Sequence, residues 1–232
     1  MQARPLVLGH RGASTRWPEN TLAAFAGARE LGADGVELDV RRTADDELVV
    51  LHDPELDGYG LVVEHPFARL RAERPDVPTL SEALDACAGL VVNVEIKCLP
   101  WDPDPDTPEH DVARAVVDVV RGRADVILSS FDVTAIDACH SVAPDVVTAW
   151  LTSGQDVGVT ASIAAERGHS WLHPDRVAAS RASLGDIARA HELGLRVNVW
   201  TVDNPNEARA LAAAGVDGII TNVPDVVLRA FA

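Results

Sequence analysis

Val36-Glu37-Leu38-Asp39-Val40 alternates apolar and acidic residues with a period of two, the spacing of a β-strand. Its two carboxylates therefore project to one side, while Val36, Leu38 and Val40 project to the other. Like charges on one buried face repel, so a cation is expected beside them. An oxygen-binding divalent ion is the economical choice. The plain alternative is a strand with one solvated acidic face. Shortly downstream, Leu48-Val49-Val50-Leu51 is another extended run that ends at His52-Asp53-Pro54.

On either side the same rhythm repeats. Short Val/Ile/Leu-rich runs at 6–10, 35–41, 91–97, 126–130, 146–151, 170–172, 196–201 and 218–222 read as strands, with 48–51 as an extension of the second. Helical patterns separate them. Thr21 caps a helix with Leu22, Phe25, Ala26 and Ala28 as its apolar stripe and Gly32 as its stop. Further helices are expected at 80–88, up to 121, and at 133–142, 159–167, 184–193 and 204–214, with Pro224 opening a last one. Residues 55–78 and the proline-rich stretch 99–108 read as irregular, since each proline removes a backbone donor. Continuous apolar strands alternating with helices indicate a parallel sheet covered by helices. Eight strand–helix units at this length fit an α/β chain folded as a single-domain (β/α)8 TIM barrel over 1–232, with a short irregular insertion after the second strand. An open doubly wound sheet is the structural alternative, but His10-Arg11-Gly12-Ala13 after the first strand is not a glycine-rich phosphate loop.

Composition narrows the function classes. The 232 residues carry a net charge of −16 and are 47% hydrophobic, enough for a packed core. That charge argues against nucleic acid and anionic membrane surfaces as partners. No apolar run reaches the roughly 20 residues of a membrane helix, and the N-terminus does not read as a signal peptide. A cytoplasmic chain without a membrane anchor is expected. Cys87, Cys98 and Cys139 are odd in number and widely spaced, which suggests neither a disulfide framework nor a zinc site.

The C-terminal strand ends, where a barrel of this kind places its active site, carry the chemistry. They present His10 and Arg11, Glu37 and Asp39, His52 beyond the extension, Glu95 and Lys97, Ser129 to Phe131, Trp200 and Thr201, and Thr221 and Asn222. Charged groups at the ends of apolar strands are costly to bury without a use. Glu37, Asp39 and Glu95 make a hard-cation site suited to Mg²⁺ or Ca²⁺. Two histidines can exchange protons near neutral pH, and Arg11 and Lys97 can neutralise charge on a phosphoryl group. Metal, cationic clamp and acid–base pair together suggest in-line displacement at a phosphodiester, so a small-molecule phosphodiester is the expected substrate.

The ordered motifs His10-Arg11-Gly12-Ala13, Pro18-Glu19-Asn20-Thr21, Glu37-Leu38-Asp39-Val40, His52-Asp53-Pro54, Val94-Glu95-Ile96-Lys97, Trp200-Thr201-Val202 and Gly215 to Thr221 strongly resemble the glycerophosphodiester phosphodiesterases over nearly the whole chain. The resemblance implies a TIM barrel and metal-dependent hydrolysis of glycerophosphodiesters to glycerol 3-phosphate and an alcohol. It implies His10 and His52 as the acid–base pair, Glu37, Asp39 and Glu95 as metal ligands, and Arg11 and Lys97 as phosphate holders. Attack by the glycerol 2-hydroxyl, giving a cyclic phosphate first, belongs to the same implication. The chain departs from the family in two places. Leu56 to Leu61 replaces a longer insertion, and Asn222 stands where Asp is commoner, with little effect expected on catalysis.

Around this centre, Trp200 is expected to border the substrate, Glu19 to support the site, and Asn20 to orient His10 or the rim. Capping of the first helix is the plainer role for Glu19 and Asn20. Trp101 is a candidate lid and Tyr59 a candidate contact for the leaving alcohol. His65, His110, His140, His169, His173 and His191 are expected to stand apart from catalysis. Three other readings compete: a phospholipase-type lyase that stops at a cyclic phosphate, a metal-dependent aldolase on the same barrel, and a non-catalytic binding barrel.

Overall fold

The computed structural model describes residues 4–99, 102–104, 107, 109–182 and 184–232. Trp101, Pro100, Pro105 and Pro108 lie outside the described residues, and with them the expectation of a Trp101 lid.

Eight parallel strands close into a barrel. In chain order they are β1 (Leu6–His10), β2 (Gly35–Arg42), then, after the short strands β3 to β5 described below, β6 (Val91–Ile96), β7 (Val126–Ser130), β8 (Val147–Thr152), β9 (Trp171–Pro174), β10 (Arg196–Val199) and β11 (Gly218–Thr221). Each pairs with the next in parallel, and β11 returns to β1, which in turn pairs with β2. β2 is buried on both faces, which removes the reading of a solvated acidic face. Val36, Leu38 and Val40 pack into the layer between strands and helices, and Glu37 and Asp39 face the barrel interior. Ile127, Ala149 and Trp171, with Leu6, Val91 and Val147 against them, fill the interior near the N-terminal strand ends. The opposite end is left for polar groups.

The insertion after β2 is more ordered than its composition suggests. β3 (Leu48–Val50) folds back antiparallel on β2, with Val50 opposite Val40. The Leu51 amide then donates to the Asp39 carbonyl at 3.0 Å, which sets His52 on the rim. A two-residue-strand hairpin follows, β4 (Glu55–Leu56) with β5 (Gly60–Leu61), then a 3₁₀ turn (Val62–Glu64) and a short helix, α2 (Phe67–Glu73), after α1 (Leu22–Glu30). Tyr59, Val62, Leu70 and Val77 close on Val49 as a satellite core. Tyr59 is thus turned into this insert and does not line the site, contrary to the expected alcohol contact. α2 shows no readable stripe because only Leu70 of its seven residues is buried.

The remaining helices are α3 (Leu80–Ala86), α4 (Asp111–Val120), α5 (Val133–Val142), α6 (Val157–Glu166), α7 (Arg176–Arg181), α8 (Leu184–Glu192), α9 (Pro205–Ala214) and α10 (Pro224–Arg229). α7 is absent from the sequence expectation. Six residues are too few to display a 3.6-residue period, and Asp175 nucleates the turn by accepting from the Val177 and Ala178 amides. In α1 the buried residues are Ala24, Phe25, Gly27 and Ala28, whereas Leu22 is 41% exposed. Gly27 is where the Trp17 ring lies flat on the helix: a Cβ there would stand 2.5 Å from that ring. Among the described residues, no helix is long and apolar enough to cross a membrane.

Candidate active site

β2 and β6 run side by side with Asp39 opposite Glu95 and Glu37 opposite Asn93. The inward alternation of two neighbouring strands therefore drives three carboxylates together. Glu37, Asp39 and Glu95 each offer an oxygen within 4.8 Å of the other two. Glu37 is 2% and Asp39 1% exposed. Burial, then Asp39 and Glu95, push the Glu37 carboxyl well above the usual glutamate range. Burial also raises Glu95, against the opposing pull of Lys97. For Asp39 burial acts upward, but Lys97, Arg11 and the Asn20 hydrogen bond outweigh it and hold the carboxyl below its usual range.

Two cations face this cluster. Arg11 follows β1 in a left-handed conformation, φ 56°, and Gly12 continues it at φ 81°. A Cβ on Gly12 would stand 2.6 Å from the carbonyl carbon of Ala24, so the turn needs glycine both for its torsion and for contact with α1. The turn aims the Arg11 amide at Glu37 Oε2, 3.0 Å away, places Nε 3.2 Å from Asp39 Oδ2, and lets Nη1 donate to Glu19 Oε1 at 2.9 Å. Lys97 Nζ donates to Glu95 Oε1 at 2.8 Å and lies 3.5 Å from Asp39 Oδ1. With every group ionised, three carboxylates against Arg11 and Lys97 leave one negative charge. A divalent ion would convert that to one positive charge, the complement of a phosphodiester.

The residues fit such an ion. Three hard oxygen donors converge, and Glu37 Oε1 is a buried oxygen with no hydrogen-bond partner among the described residues. Glu37, Asp39 and Glu95 would hold the ion and leave positions open for substrate oxygens.

The histidines flank the cluster. His10 Nδ1 is 2.7 Å from Asn222 Oδ1, and its Nε2 lies 3.9 Å from Glu37 Oε2. Burial lowers the His10 pKa from its ordinary value, against the opposing effect of the Asn222 hydrogen bond. His52 Nδ1 pairs with Asp53 Oδ1 at 2.7 Å. Asn20 does not orient His10. Its Nδ2 donates to Asp39 Oδ2 at 2.8 Å, and its Oδ1 accepts the Asp39 amide at 3.3 Å. Thr21 provides the helix cap, accepting the Ala24 amide at 3.2 Å, so Glu19 and Asn20 are left to the site. Trp200, Phe131, Leu151 and Ile220 form an apolar wall facing the charged groups across a cavity of about 120 Å³. Trp200 is held by donation from Nε1 to the His173 carbonyl at 2.8 Å, and by an edge-to-face contact with Phe131 at 5.4 Å.

Sequence reasoning passed over Arg41. It is 2% exposed and donates from Nε to the His52 carbonyl at 2.7 Å and from Nη1 to Asp104 Oδ1 at 2.6 Å. Asp104 is itself 4% exposed at its side chain. The acidic Asp102 and Asp104 of the proline-rich stretch were the available signal for a buried cation. Truncating one partner of such a pair strands the other charge. We expect Arg41→Met to lower stability by about 3 kcal/mol in urea unfolding, and Arg41→Lys to lose less. Unchanged unfolding of Arg41→Met would remove this role.

The other histidines stand away from the cavity. His173 is sealed in the barrel wall, where burial pushes its pKa down to about 3. His169 pairs with Thr148 and Asp137, His65 with the Tyr59 carbonyl, and His191 with Asp217.

A model of the glycerophosphoryl diester phosphodiesterase family matches residues 10–226. A glycerophosphodiester phosphodiesterase of Caldanaerobacter subterraneus is 31% identical over 97% of this chain and 97% of its own length. One from Bacillus subtilis is 29% identical over 96% of this chain and 85% of its own. The crystal structure of a glycerophosphodiester phosphodiesterase from Thermotoga maritima superposes with a TM-score of 0.85 at 26% identity, covering 99% of both chains. An Oleispira antarctica phosphodiesterase in complex with the product sn-glycerol-3-phosphate superposes with a TM-score of 0.84 at 25% identity, covering 98% of this chain and 97% of that one.

Proposed function

This chain belongs to the glycerophosphoryl diester phosphodiesterase family and is a phosphoric diester hydrolase, and we propose that it cleaves glycerophosphodiesters to glycerol 3-phosphate and an alcohol through a divalent cation and a histidine pair. The observation that carries the reading is the meeting of Glu37, Asp39 and Glu95 with His10, Arg11, His52 and Lys97 around one cavity. The product held by the Oleispira antarctica relative supports the glycerol 3-phosphate half of the substrate. A cation held by Glu37, Asp39 and Glu95 would supply Lewis-acid polarisation of the phosphoryl group.

The chain's own residues do the rest. Arg11 and Lys97 bind the non-bridging phosphoryl oxygens, which requires both to shift part of their pairing from carboxylate to substrate. His10 is the general base. Its Nδ1 is engaged by Asn222, its Nε2 faces the cavity, and burial keeps the ring neutral near pH 7. Its Nε2 takes the proton of the attacking hydroxyl. His52, its ring steadied by Asp53, gives a proton to the oxygen of the departing alcohol. Attack by water yields glycerol 3-phosphate directly. Attack by the glycerol 2-hydroxyl yields a cyclic phosphate that a second, water-driven round opens. Trp200 packs against the glycerol carbons.

The test is release of glycerol 3-phosphate from glycerophosphocholine and glycerophosphoethanolamine, in EDTA and after adding Mg²⁺ or Ca²⁺. We expect release that EDTA stops and one of the ions restores. Phosphorus NMR of the time course separates direct hydrolysis from a cyclic phosphate that persists. Full activity in EDTA would sink the metal requirement, and no release from either diester with the ion present would sink the substrate.

A further inference from the structure

Asp203 lies just beyond β10, outside the cavity and exposed, yet both of its carboxylate oxygens bond the end of β11. Oδ1 accepts from the Thr221 hydroxyl at 2.9 Å and from the Asn222 amide at 2.8 Å. Oδ2 accepts from Asn222 Nδ2 at 2.8 Å. On its other side, Asn222 Oδ1 accepts from the Ser14 hydroxyl at 3.3 Å and faces His10 Nδ1 at 2.7 Å.

The direction of this chain of bonds is fixed by chemistry. An ionised carboxylate only accepts. The Asn222 NH₂ group must therefore face Asp203, which leaves its carbonyl oxygen facing His10. A carbonyl also only accepts, so His10 Nδ1 must carry a hydrogen. In the neutral ring Nε2 is then the nitrogen with the lone pair, and Nε2 is the nitrogen on the Glu37 side of the site. We infer that Asp203 is a positioning residue that, by locking the Asn222 amide, holds His10 in the Nδ1–H tautomer with its basic nitrogen toward the cavity. This rests on the reading of His10 as general base. It also gives Asn222 a role that its neutral side chain alone does not explain: the amide hands on a direction set by a carboxylate one residue further out.

Asp203→Asn removes the constraint with almost no change in volume. An amide at 203 can present either nitrogen or oxygen, so the Asn222 amide is free to turn over and offer its NH₂ to His10. The ring hydrogen then moves to Nε2, the wrong nitrogen for a base. An imidazole in the wrong tautomer can cost a hydrolase up to about 10⁴-fold in kcat. Mixed occupancy should cost less, about 10- to 100-fold in kcat, with KM changed by no more than about two-fold. The double variant Asp203→Asn, Asn222→Asp puts an acceptor-only group directly beside His10 and a donor behind it. It should recover most of the lost kcat.

The direct readout is long-range ¹H–¹⁵N NMR of the Mg²⁺-loaded full chain labelled at histidine, at pH 8, with His10 assigned by its loss in His10→Gln. Wild type should show Nδ1–H, Asp203→Asn a mixture or Nε2–H, and the double variant Nδ1–H again. A wild-type tautomer retained in Asp203→Asn, or a double variant no better than the single, would overturn the inference. The tautomer is read without turnover. If it shifts as expected while His10→Gln retains full activity, the positioning role stands and the general-base reading falls.

Discussion

Glu37→Gln will cut kcat/KM by at least about 10³-fold and at the same time raise the melting temperature of the metal-free protein. Both effects come from one crowded position. Glu37 is buried beside Asp39 and Glu95, and burial with those two neighbours disfavours its charge. A glutamine of the same shape can still accept the Arg11 amide but brings no charge. In a chain of this size each kcal/mol of relief raises the melting temperature by roughly 2–4 °C. The same substitution removes a ligand whose ion is worth several kcal/mol to the transition state, so kcat/KM should fall at least about 10³-fold. Mg²⁺ should raise the melting temperature of the wild type and hardly move the variant. The pH dependence has a definite sign. The unfolded chain releases this proton near the ordinary glutamate value of 4.5, while the native state holds it to higher pH. Between those values the native state binds more protons, so metal-free stability falls as pH rises above about 4.5. Asp39, held low, acts in the opposite sense: its contribution is present above its ordinary value of 3.8 and is lost as pH falls through the native one. Glu37→Gln should flatten the upper slope. A variant that melts lower than wild type, or that keeps the Mg²⁺ response, would contradict the account.

What could be read from the sequence, and what could not, divides by range. Glu37 and Asp39 were readable because a strand buried on both faces must sort its residues by parity, and the parity is printed in five consecutive letters. The barrel was readable for the same reason, repeated in every strand. α2 and α7 were not, since a seven- or six-residue helix is decided by what it packs on. The expected stripe of α1 differs at Leu22 and Ala26, which are exposed, and at Ala24 and Gly27, which are buried; Gly27 carries no apolar side chain to signal its burial, yet the Trp17 ring packs directly on it. The His10–Asn222 bond spans nearly the whole chain and needs the barrel closed before the two residues meet. Asn20 is expected to orient His10 or the rim. The fold gives it to Asp39, because the loop after β1 passes over β2. Arg41 shares the inward parity of Glu37 and Asp39. Nothing local says that its partners come from residues 102–104 and the His52 backbone.

His10→Ala and His52→Ala should both lower kcat on glycerophosphocholine by about 10²–10⁴-fold, the usual loss when a positioned acid or base is removed. They should part company on an activated substrate. A glycerophosphodiester of p-nitrophenol departs as a stable phenolate and needs no proton, so an enzyme lacking only its general acid still turns it over. His52→Ala should therefore approach wild-type rates on that substrate, while His10→Ala should stay slow on both, because the attacking hydroxyl must lose its proton whatever leaves. The assignment follows from the surroundings of the two rings. His10 is enclosed, bonded at Nδ1, and lowered in pKa by burial, a setting that keeps a base unprotonated. His52 is more open, with its Nδ1 paired to the Asp53 carboxylate and its ring on the cavity rim, placed to reach the departing oxygen. The sign for pH follows. His10 is active as the neutral ring, so kcat/KM rises as pH climbs through its native pKa, which lies below the ordinary value of 6.5. The acidic limb of the profile should therefore fall below pH 6.5. Equal defects of the two variants on the p-nitrophenyl substrate would reject the division of labour, and a larger defect in His52→Ala there would reverse it.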